Sequence, residues 1–245
     1  MLTVHLQGGL GNQLFQLGFL DYVHHKTGRQ IYLSDLKSPK TVHSSEQYFE
    51  TIFKEWKSIY KHTAASYIHE HPKMIFQDWG IYPGNTCYVG YFQRYEYLEP
   101  IKESFIKKLH FNKTILEKYP GLDKKTFIHV RGGDYKGNSL HELDLSSYYK
   151  KCMEETPLKD FVIFTNDIPY ARKKFPEIPI IEESEVDSLY LMSQCGAAIC
   201  ANSSFSWWGA YLNSNRPIFM PSKWYTNDIQ GNYYFKDVHI IDINV

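Results

Sequence analysis

The sequence is poor in cysteine and contains no recognisable metal-binding pattern. Its 245 residues include four cysteines, with no Cys-x-x-Cys pair and no Cys/His zinc spacing. A P-loop, a nucleophile elbow and a His-Glu-x-x-His motif are also absent. So few cysteines in a chain of this size favour a reducing compartment. The missing motifs argue against zinc-dependent, P-loop and serine-hydrolase chemistry.

Long apolar runs and an excess of one charge are also lacking. No stretch approaches about 18 apolar residues, the length expected of a membrane-spanning helix. The first residues lack the basic and apolar regions of a signal peptide. We therefore expect a soluble, cytoplasmic protein that contacts membranes only peripherally, through a substrate or partner. The 27 Lys and Arg residues balance 27 Asp and Glu residues, which argues against a nucleic-acid partner.

Apolar runs alternate with helical patterns along most of the chain. Strands are predicted in the second half over 126–130, 161–165, 179–181, 197–201 and 217–220. Helices are predicted between them over 145–155, 187–194 and 206–212. This alternation predicts an α/β protein with parallel sheets and helices on both faces. We interpret the chain as two Rossmann-like halves, residues 1–112 and 113–245, with a cleft between them.

A glycine-rich turn separates the first strand from the first helix. It reads Gly8-Gly9-Leu10-Gly11-Asn12-Gln13, and its spacing differs from the Gly-x-Gly-x-x-Gly pattern of a dinucleotide site. Glycines allow a ligand to approach the backbone, and a helix N-terminus offers unpaired N–H groups. The turn is therefore either a ligand site, at Gly9, Gly11 and Asn12, or an ordinary tight connection.

A second segment places a basic residue where a strand gives way to two glycines. Arg131 lies at this strand end, where its guanidinium can hold a diphosphate with two hydrogen bonds. Asp134 would lock the turn or orient Arg131, and the alternative for this pair is a surface ion pair. Strand alternation places His129 on the same side as Arg131. His129 is thus either a site residue or a hydrogen-bonded core residue.

Two other predicted strands end in polar residues. After one strand, a serine-rich turn opens a helix, and its hydroxyl and N–H groups suit a phosphate, although simple helix capping is the alternative. This turn contains Asn202, Ser203, Ser204 and Phe205. After the other strand, Asn166 and Asp167 either hold a base or ribose or cap the next turn. Open α/β sheets bind ligands at such strand ends.

The three segments together resemble glycosyltransferase family 11, the α-1,2-fucosyltransferases. They are Gly8–Gln16, His129–Tyr135 and Ala201–Ala210, and the resemblance extends from residue 2 to about residue 224. It implies a GT-B fold with two facing Rossmann-like domains. Residues 1–112 would form the acceptor side and residues 113–245 the GDP-sugar donor side. It also implies transfer of fucose from GDP-fucose to a glycan hydroxyl, with no cofactor beyond the GDP-sugar donor.

The same resemblance implies inversion at the anomeric carbon, an α-1,2 linkage to a galactoside, and no required metal. It assigns Arg131 to the donor diphosphate and to assisting the departure of fucose. It places the Gly11-Asn12 turn near the transferred sugar and the acceptor hydroxyl. Ser203, Ser204 and Phe205 would line the nucleotide site.

One departure from the family pattern concerns the donor site. The family usually carries a second arginine where this chain has Gly132. The absence of this arginine predicts either weaker donor binding or a different GDP-sugar. Two alternatives to fucosyl transfer therefore stay open. One is the same fold acting on another GDP-activated or nucleotide-activated deoxyhexose, and the other is a non-catalytic glycan-binding module.

Overall fold

The computed structural model describes residues 1–34, 46–62, 66–71, 76–77, 79, 85–227 and 233–244. The chain divides into two compact units. The first unit comprises Met1–Phe111 with Gly231–Tyr233, and the second comprises Asn112–Gln230 with Tyr234–Val245. No helix in the described part of the chain is long and apolar enough to cross a membrane.

The first unit contains short parallel strands. In chain order they are β1 Leu2–Val4, β2 Leu33–Ser34, β3 Tyr60–His62, β4 Ser66–His69 and β5 Thr86–Val89. Strand β5 lies between β1 and β4, and β2 pairs with β3. A single parallel bridge joins Leu2 to Ile31, next to β2. Strand β1 therefore has neighbours on both sides, and its three residues are buried.

One long helix dominates this unit. The helices are α1 Leu10–Thr27, α2 Glu46–Phe49, α3 Tyr95–Leu98 and α4 Lys102–Lys107, with 3-10 turns at Lys54–Ile59 and Glu99–Ile101. Helix α1 ends at Gly28, whose φ of 66° is a left-handed conformation that favours glycine. Its Phe19 ring stacks on Phe92, with centroids 3.8 Å apart. The aromatic residues of this half therefore serve largely as core.

The second unit is a five-stranded parallel sheet. Its strands are β6 Thr126–Val130, β7 Phe161–Thr165, β8 Ala197–Ile199, β9 Ile218–Pro221 and β10 His239–Ile241. Their order across the sheet is β10-β9-β8-β6-β7. All five residues of β6 are buried, as expected where helices cover both faces. The strand predicted over 179–181 is reduced to one bridge between Ile163 and Ile180.

The connections of this sheet are helical. They include α5 Ser146–Glu155, α6 Ile168–Lys174, α7 Glu185–Gln194 and α8 Ser204–Tyr211, with 3-10 turns at Lys113–Lys118, Leu122–Lys124 and Gly133–Tyr135. Helix α7 begins earlier than the predicted residue 187, because the Ser184 side chain accepts a hydrogen bond from the Asp187 N–H and caps it.

A half-buried arginine holds helix ends together in the second unit. Arg216 donates through Nη1 to the carbonyl of Met192 (2.9 Å) and to that of Cys195, and through Nη2 to the carbonyl of Gly209 (2.7 Å). Burial lowers the pKa of Arg216 to about 10, so it stays charged at neutral pH. Its charge satisfies carbonyls that helix ends leave unpaired.

Candidate functional site

The order in which the chain adds strands to the sheet of the second unit reverses between β7 and β8. From β6 the chain passes to β7 on one side, and it then returns to place β8 on the other side of β6. The carboxyl ends of two such strands form the usual ligand crevice of an open α/β sheet. Arg131 follows β6, and Asn202 follows β8 after a short extension. Both residues line one pocket, of about 380 Å³ including its open mouth.

The turn after β6 is tied to the end of β7 by two backbone hydrogen bonds. The Gly132 N–H donates to Oδ1 of Asn166 (2.9 Å), and the Gly133 N–H donates to Oδ2 of Asp167 (3.0 Å). Gly133 has a φ of 55°, which strains any residue with a side chain. The structure thus brings together the polar ends of two strands that the sequence analysis singled out separately.

Arg131 is oriented by the acid three residues later. Its Nη2 lies 2.8 Å from Oδ1 and 2.9 Å from Oδ2 of Asp134. Its guanidinium carbon lies 5.0 Å from the centre of the Tyr135 ring. The buried Nε–H of Arg131 has no hydrogen-bond partner within the described residues. An unpaired charged donor at a pocket wall is suited to an anionic ligand.

Asp167 builds the turn with both of its carboxylate oxygens. Oδ1 accepts the Tyr170 N–H at the start of α6 (3.1 Å). Oδ2 accepts the Gly133 N–H and lies 2.5 Å from Nζ of Lys136. The hydrogen bond from Lys136, followed by those from Gly133 and Tyr170, lowers the pKa of Asp167 to about 2. Of the two roles predicted for it, the turn-capping role is the one these contacts support.

Asn202 fastens two loops beside the pocket. Its Nδ2 donates to the carbonyls of His141 and Trp224, both at 3.0 Å. The Tyr135 hydroxyl donates to the Asn202 carbonyl (3.2 Å). Only 2% of Asn202 is exposed. Its side chain therefore holds the pocket wall in place.

The serine-rich turn after Asn202 begins helix α8. The Ser203 hydroxyl accepts the Phe205 N–H (3.4 Å) and caps the helix, and Ser203 is buried. Ser204 and Phe205 are half-buried at the first turn of the helix. These contacts support the capping alternative for Ser203 and leave the helix start near the pocket residue Asn202.

His129 lies in the core. It is 1% exposed, and burial, with a smaller effect of the Arg131 charge, lowers its pKa to about 3. Its Nδ1 has no hydrogen-bond partner among the residues described. An imidazole that resists protonation is a poor proton acceptor at neutral pH. The structure therefore favours the core alternative for His129 over the predicted catalytic role.

Several residues of the pocket were not predicted from the sequence. The wall beside Arg131 also contains Lys136, His141, Tyr170 and Lys174. The His141 ring stacks on Tyr135, with centroids 4.7 Å apart. Lys136 could have been found, since it directly follows the motif that contains Arg131. The others come from a loop and from α6, and no pattern in the sequence connects them with the strand ends.

The glycine-rich turn of the first unit is built from neutral side chains. The residue that precedes α1 is Gly9, and Gly11 is buried in the first turn of that helix. Gly8 has a φ of 75°, and a Cβ there would collide with the Asn12 side chain. Asn12 is half-buried, and its Oδ1 accepts a hydrogen bond from Nε2 of Gln93 (2.7 Å). The structure places this turn and Arg131 in different units.

Two glutamines hold this turn from inside. Gln13 donates through Nε2 to the Gly8 carbonyl (2.8 Å). Gln16 accepts the Gln7 N–H (3.0 Å) and donates to the Gly90 carbonyl (3.0 Å). Both glutamines are fully buried. Their amides satisfy backbone groups that would otherwise be buried without partners.

Known proteins include relatives of this chain. The family described as glycosyl transferase family 11 matches residues 1–236. The O-antigen biosynthesis glycosyltransferase WbnK of Escherichia coli is 28% identical over 169 residues, which are 58% of this chain and 56% of that protein. The match thus spans about half the length of WbnK. An alpha-1,2-colitosyltransferase of Escherichia coli is 26% identical over 257 aligned positions, 87% of this chain and 88% of that protein.

Solved structures show the same fold. The fucosyltransferase NodZ from Bradyrhizobium superposes with a TM-score of 0.58 at 13% identity, over 89% of this chain and 94% of NodZ. A crystal of NodZ, named there an alpha-1,6-fucosyltransferase, was soaked with GDP-fucose and matches with the same TM-score of 0.58. The GT-B class predicted for the chain, with its two Rossmann-like domains, is confirmed. Because the family match extends over most of the sequence, this chain is a glycosyltransferase and belongs to glycosyl transferase family 11.

Proposed function

We propose that this protein transfers fucose from GDP-fucose to a galactoside hydroxyl of a glycan, with inversion, in α-1,2 linkage and without a metal ion. The observation that carries the proposal is the placement of Arg131. Its guanidinium lines an open pocket at the switch point of the sheet, held by Asp134, with Nε–H left for a ligand. This position suits the diphosphate of a nucleotide sugar.

In this proposal Arg131 stabilises the charge that develops on the departing diphosphate. Asp134 fixes the guanidinium before the ligand arrives, so little reorganisation accompanies bond breaking. The start of α8, with Ser203 and Ser204, adds a positive helix end beside the pocket residue Asn202. The sugar passes through an oxocarbenium-like state, and the acceptor hydroxyl attacks from the opposite face. Because the leaving group departs first, the acceptor proton is lost late and needs no strong base.

The turn of the first unit is proposed to contact the transferred sugar. Gly9, which directly precedes α1, is half-buried and has no side chain, so its backbone stays accessible to a ligand. Asn12 is half-buried rather than enclosed, and Gln93 holds its carbonyl oxygen. An amide positioned in this way suits recognition of sugar hydroxyls.

A second candidate donor follows from the comparisons. One relative transfers colitose in α-1,2 linkage, according to its name. Colitose is fucose without the hydroxyl at carbon 3. Together with Gly132 in place of the usual arginine, this relationship motivates a different GDP-activated deoxyhexose as donor. The linkage and the remaining chemistry would be unchanged.

We also propose a cytoplasmic location, with peripheral contact to membranes through the glycan acceptor. Its support is cysteine chemistry, since Cys87, Cys152, Cys195 and Cys200 are all buried and unpaired. Unpaired thiols are typical of reducing compartments.

The proposal is tested by measuring GDP release and product linkage with EDTA present. GDP-fucose, GDP-colitose and GDP-mannose serve as donors, and β-galactosides serve as acceptors. Acceptor-dependent GDP release from GDP-fucose, with an α-1,2 product by NMR, is the expected result. GDP release from GDP-colitose alone would identify GDP-colitose, and not GDP-fucose, as the donor. Activity that EDTA abolishes and Mg²⁺ restores would contradict metal independence. If none of the donors is hydrolysed or used for transfer, the glycan-binding module would be favoured.

A further inference from the structure

The position after Arg131 has no room for a side chain. A Cβ on Gly132 would lie 2.7 Å from Cβ and 2.8 Å from Oδ2 of Asp167, and 3.0 Å from Cδ1 of Tyr170. Asp167 cannot easily move, because the N–H groups of Gly133 and Tyr170 both bind its carboxylate. A basic side chain at position 132 is therefore incompatible with Asp167 in the place that it occupies here. The next basic residue along the turn is Lys136.

Lys136 lies on the wall of the pocket that Arg131 lines. Its ammonium is 2.5 Å from Oδ2 of Asp167 and 4.7 Å from the centre of the Tyr170 ring. The Lys136 side chain is 48% exposed. An ion pair this accessible to water contributes little net stability, so the ammonium can change partners at small cost.

Within the turn after β6, the charges leave one requirement of a diphosphate unmet. Lys174, the other lysine of the pocket wall, lies on α6 with its ammonium over the Tyr149 and Tyr170 rings. Each cation of the turn faces its own carboxylate, since Arg131 pairs with Asp134 and Lys136 pairs with Asp167. A nucleoside diphosphate or its sugar ester carries at least two negative charges, and one guanidinium balances only one of them. A flexible ammonium is suited to meeting the other as a point charge.

We propose that Lys136 is the second cation of the donor site and exchanges Asp167 for the diphosphate when the nucleotide binds. The assignment rests on the proposed function, in which the pocket holds a GDP-sugar. Lys136 then binds the phosphates, and Asp167 binds its ammonium while no nucleotide is present. Because Gly132 has no side chain, Asp167 has room to lie next to Lys136.

The test measures the dissociation constants of GDP and of guanosine by isothermal titration calorimetry. Lys136→Met should weaken GDP binding about tenfold, the effect of one charge-assisted hydrogen bond, and leave guanosine binding unchanged. Lys136→Arg should stay within about threefold of the wild type. The matched control is Lys150→Met on the exposed face of α5, which should bind GDP like the wild type.

Asp167→Asn separates direct binding from a merely structural role. Asparagine can still cap α6 through its one oxygen, but it gives up the acceptor of the Gly133 N–H and no longer attracts the ammonium. If Lys136 reaches the phosphates, this variant binds GDP at least as tightly as the wild type, and adding Lys136→Met again costs about tenfold. Equal losses in both single variants, with no further loss in the double variant, would overturn the assignment, as would unchanged GDP binding by Lys136→Met. A wild-type protein that binds no GDP would contradict the proposed function itself, and the role of Lys136 with it.

Discussion

The two units contain similar turns that use polar residues in opposite ways. The first turn, Gly8–Gln13, and the second turn, Arg131–Asp134, each follow a buried parallel strand. In the first turn, buried amides such as Gln13 bind the backbone of the turn itself. In the second, Arg131 and Asp134 form an ion pair, and Arg131 lines an open pocket.

This difference shows that some residues of the family motifs stabilise the fold, whereas others are available for chemistry. The fully buried amide of Gln16 uses both its oxygen and its nitrogen to bind backbone groups of the fold. A charged group at a pocket wall keeps part of its hydrogen-bonding capacity for a ligand. The contrast predicts that variants of the first turn lose stability, whereas variants of the second lose activity.

The largest effect is expected from removing the cation of the second turn. Arg131→Ala should lower kcat/KM for the GDP-sugar by about 3–5 kcal/mol of transition-state stabilisation, because a preorganised donor to the leaving group is lost. Steady-state kinetics measure this change, and the melting temperature should move little because Arg131 is a pocket residue. Near wild-type activity in a folded Arg131→Ala protein would remove the basis of the comparison.

The next effect concerns the strand that leads into the second turn. The pKa of His129 in the folded protein, about 3, lies below the ordinary value of 6.5. The unfolded chain therefore binds more protons between these values, so the unfolding free energy is greatest above pH 6.5 and falls as the pH drops. From pH 6.5 to 4.5 the loss from this residue should be about 2 kcal/mol.

Urea unfolding of His129→Gln at several pH values checks this expectation. The variant should show a shallower dependence on pH than the wild type, and His25→Gln, at an exposed histidine of α1, should match the wild type. The same slope in His129→Gln and the wild type would mean that His129 is not held neutral by the fold.

A smaller loss of stability is expected from Gln16, the residue of α1 that supports the first turn from inside. Gln16→Ala leaves the Gln7 N–H and the Gly90 carbonyl without their partner, which should cost about 1–3 kcal/mol of unfolding free energy. Thermal and urea unfolding measure the loss, and Gln47→Ala at an exposed position is the control. Loss of donor binding by Gln16→Ala at unchanged stability would break the proposed division between the turns.

The smallest effect should come from the partner of Arg131. Asp134 is 61% exposed, so its ion pair is screened by water. Asp134→Asn should lower kcat/KM by at most about fivefold, or roughly 1 kcal/mol, because asparagine can still accept one hydrogen bond from Arg131. A loss as large as that of Arg131→Ala would instead assign Asp134 a direct part in the reaction.

Local patterns predicted the central strands of the second unit well. Strands β6 and β7 occupy the predicted residues 126–130 and 161–165, since both are continuous apolar runs bounded by polar turns. The order of strands depends on pairing between distant segments, so the switch point between β6 and β8 had to be observed.

The site was predicted less completely than the fold. Strand alternation assigned His129 to the side of Arg131, but both faces of β6 are covered, so alternation could not distinguish a core residue from a site residue. The contact of Asp167 with the Gly132-Gly133 turn joins strands that are 34 residues apart in the chain. Pocket residues such as His141 and Lys174 come from connections whose paths no periodicity describes.

Hydrogen–deuterium exchange with and without GDP tests the central claim most directly, namely that the second turn binds the donor diphosphate. GDP alone should slow exchange in peptides that cover residues 131–137 and 202–206, and leave residues 7–13 unchanged, since the first turn is proposed to contact the sugar. Protection of residues 7–13 by GDP, with none over 131–137, would contradict the account.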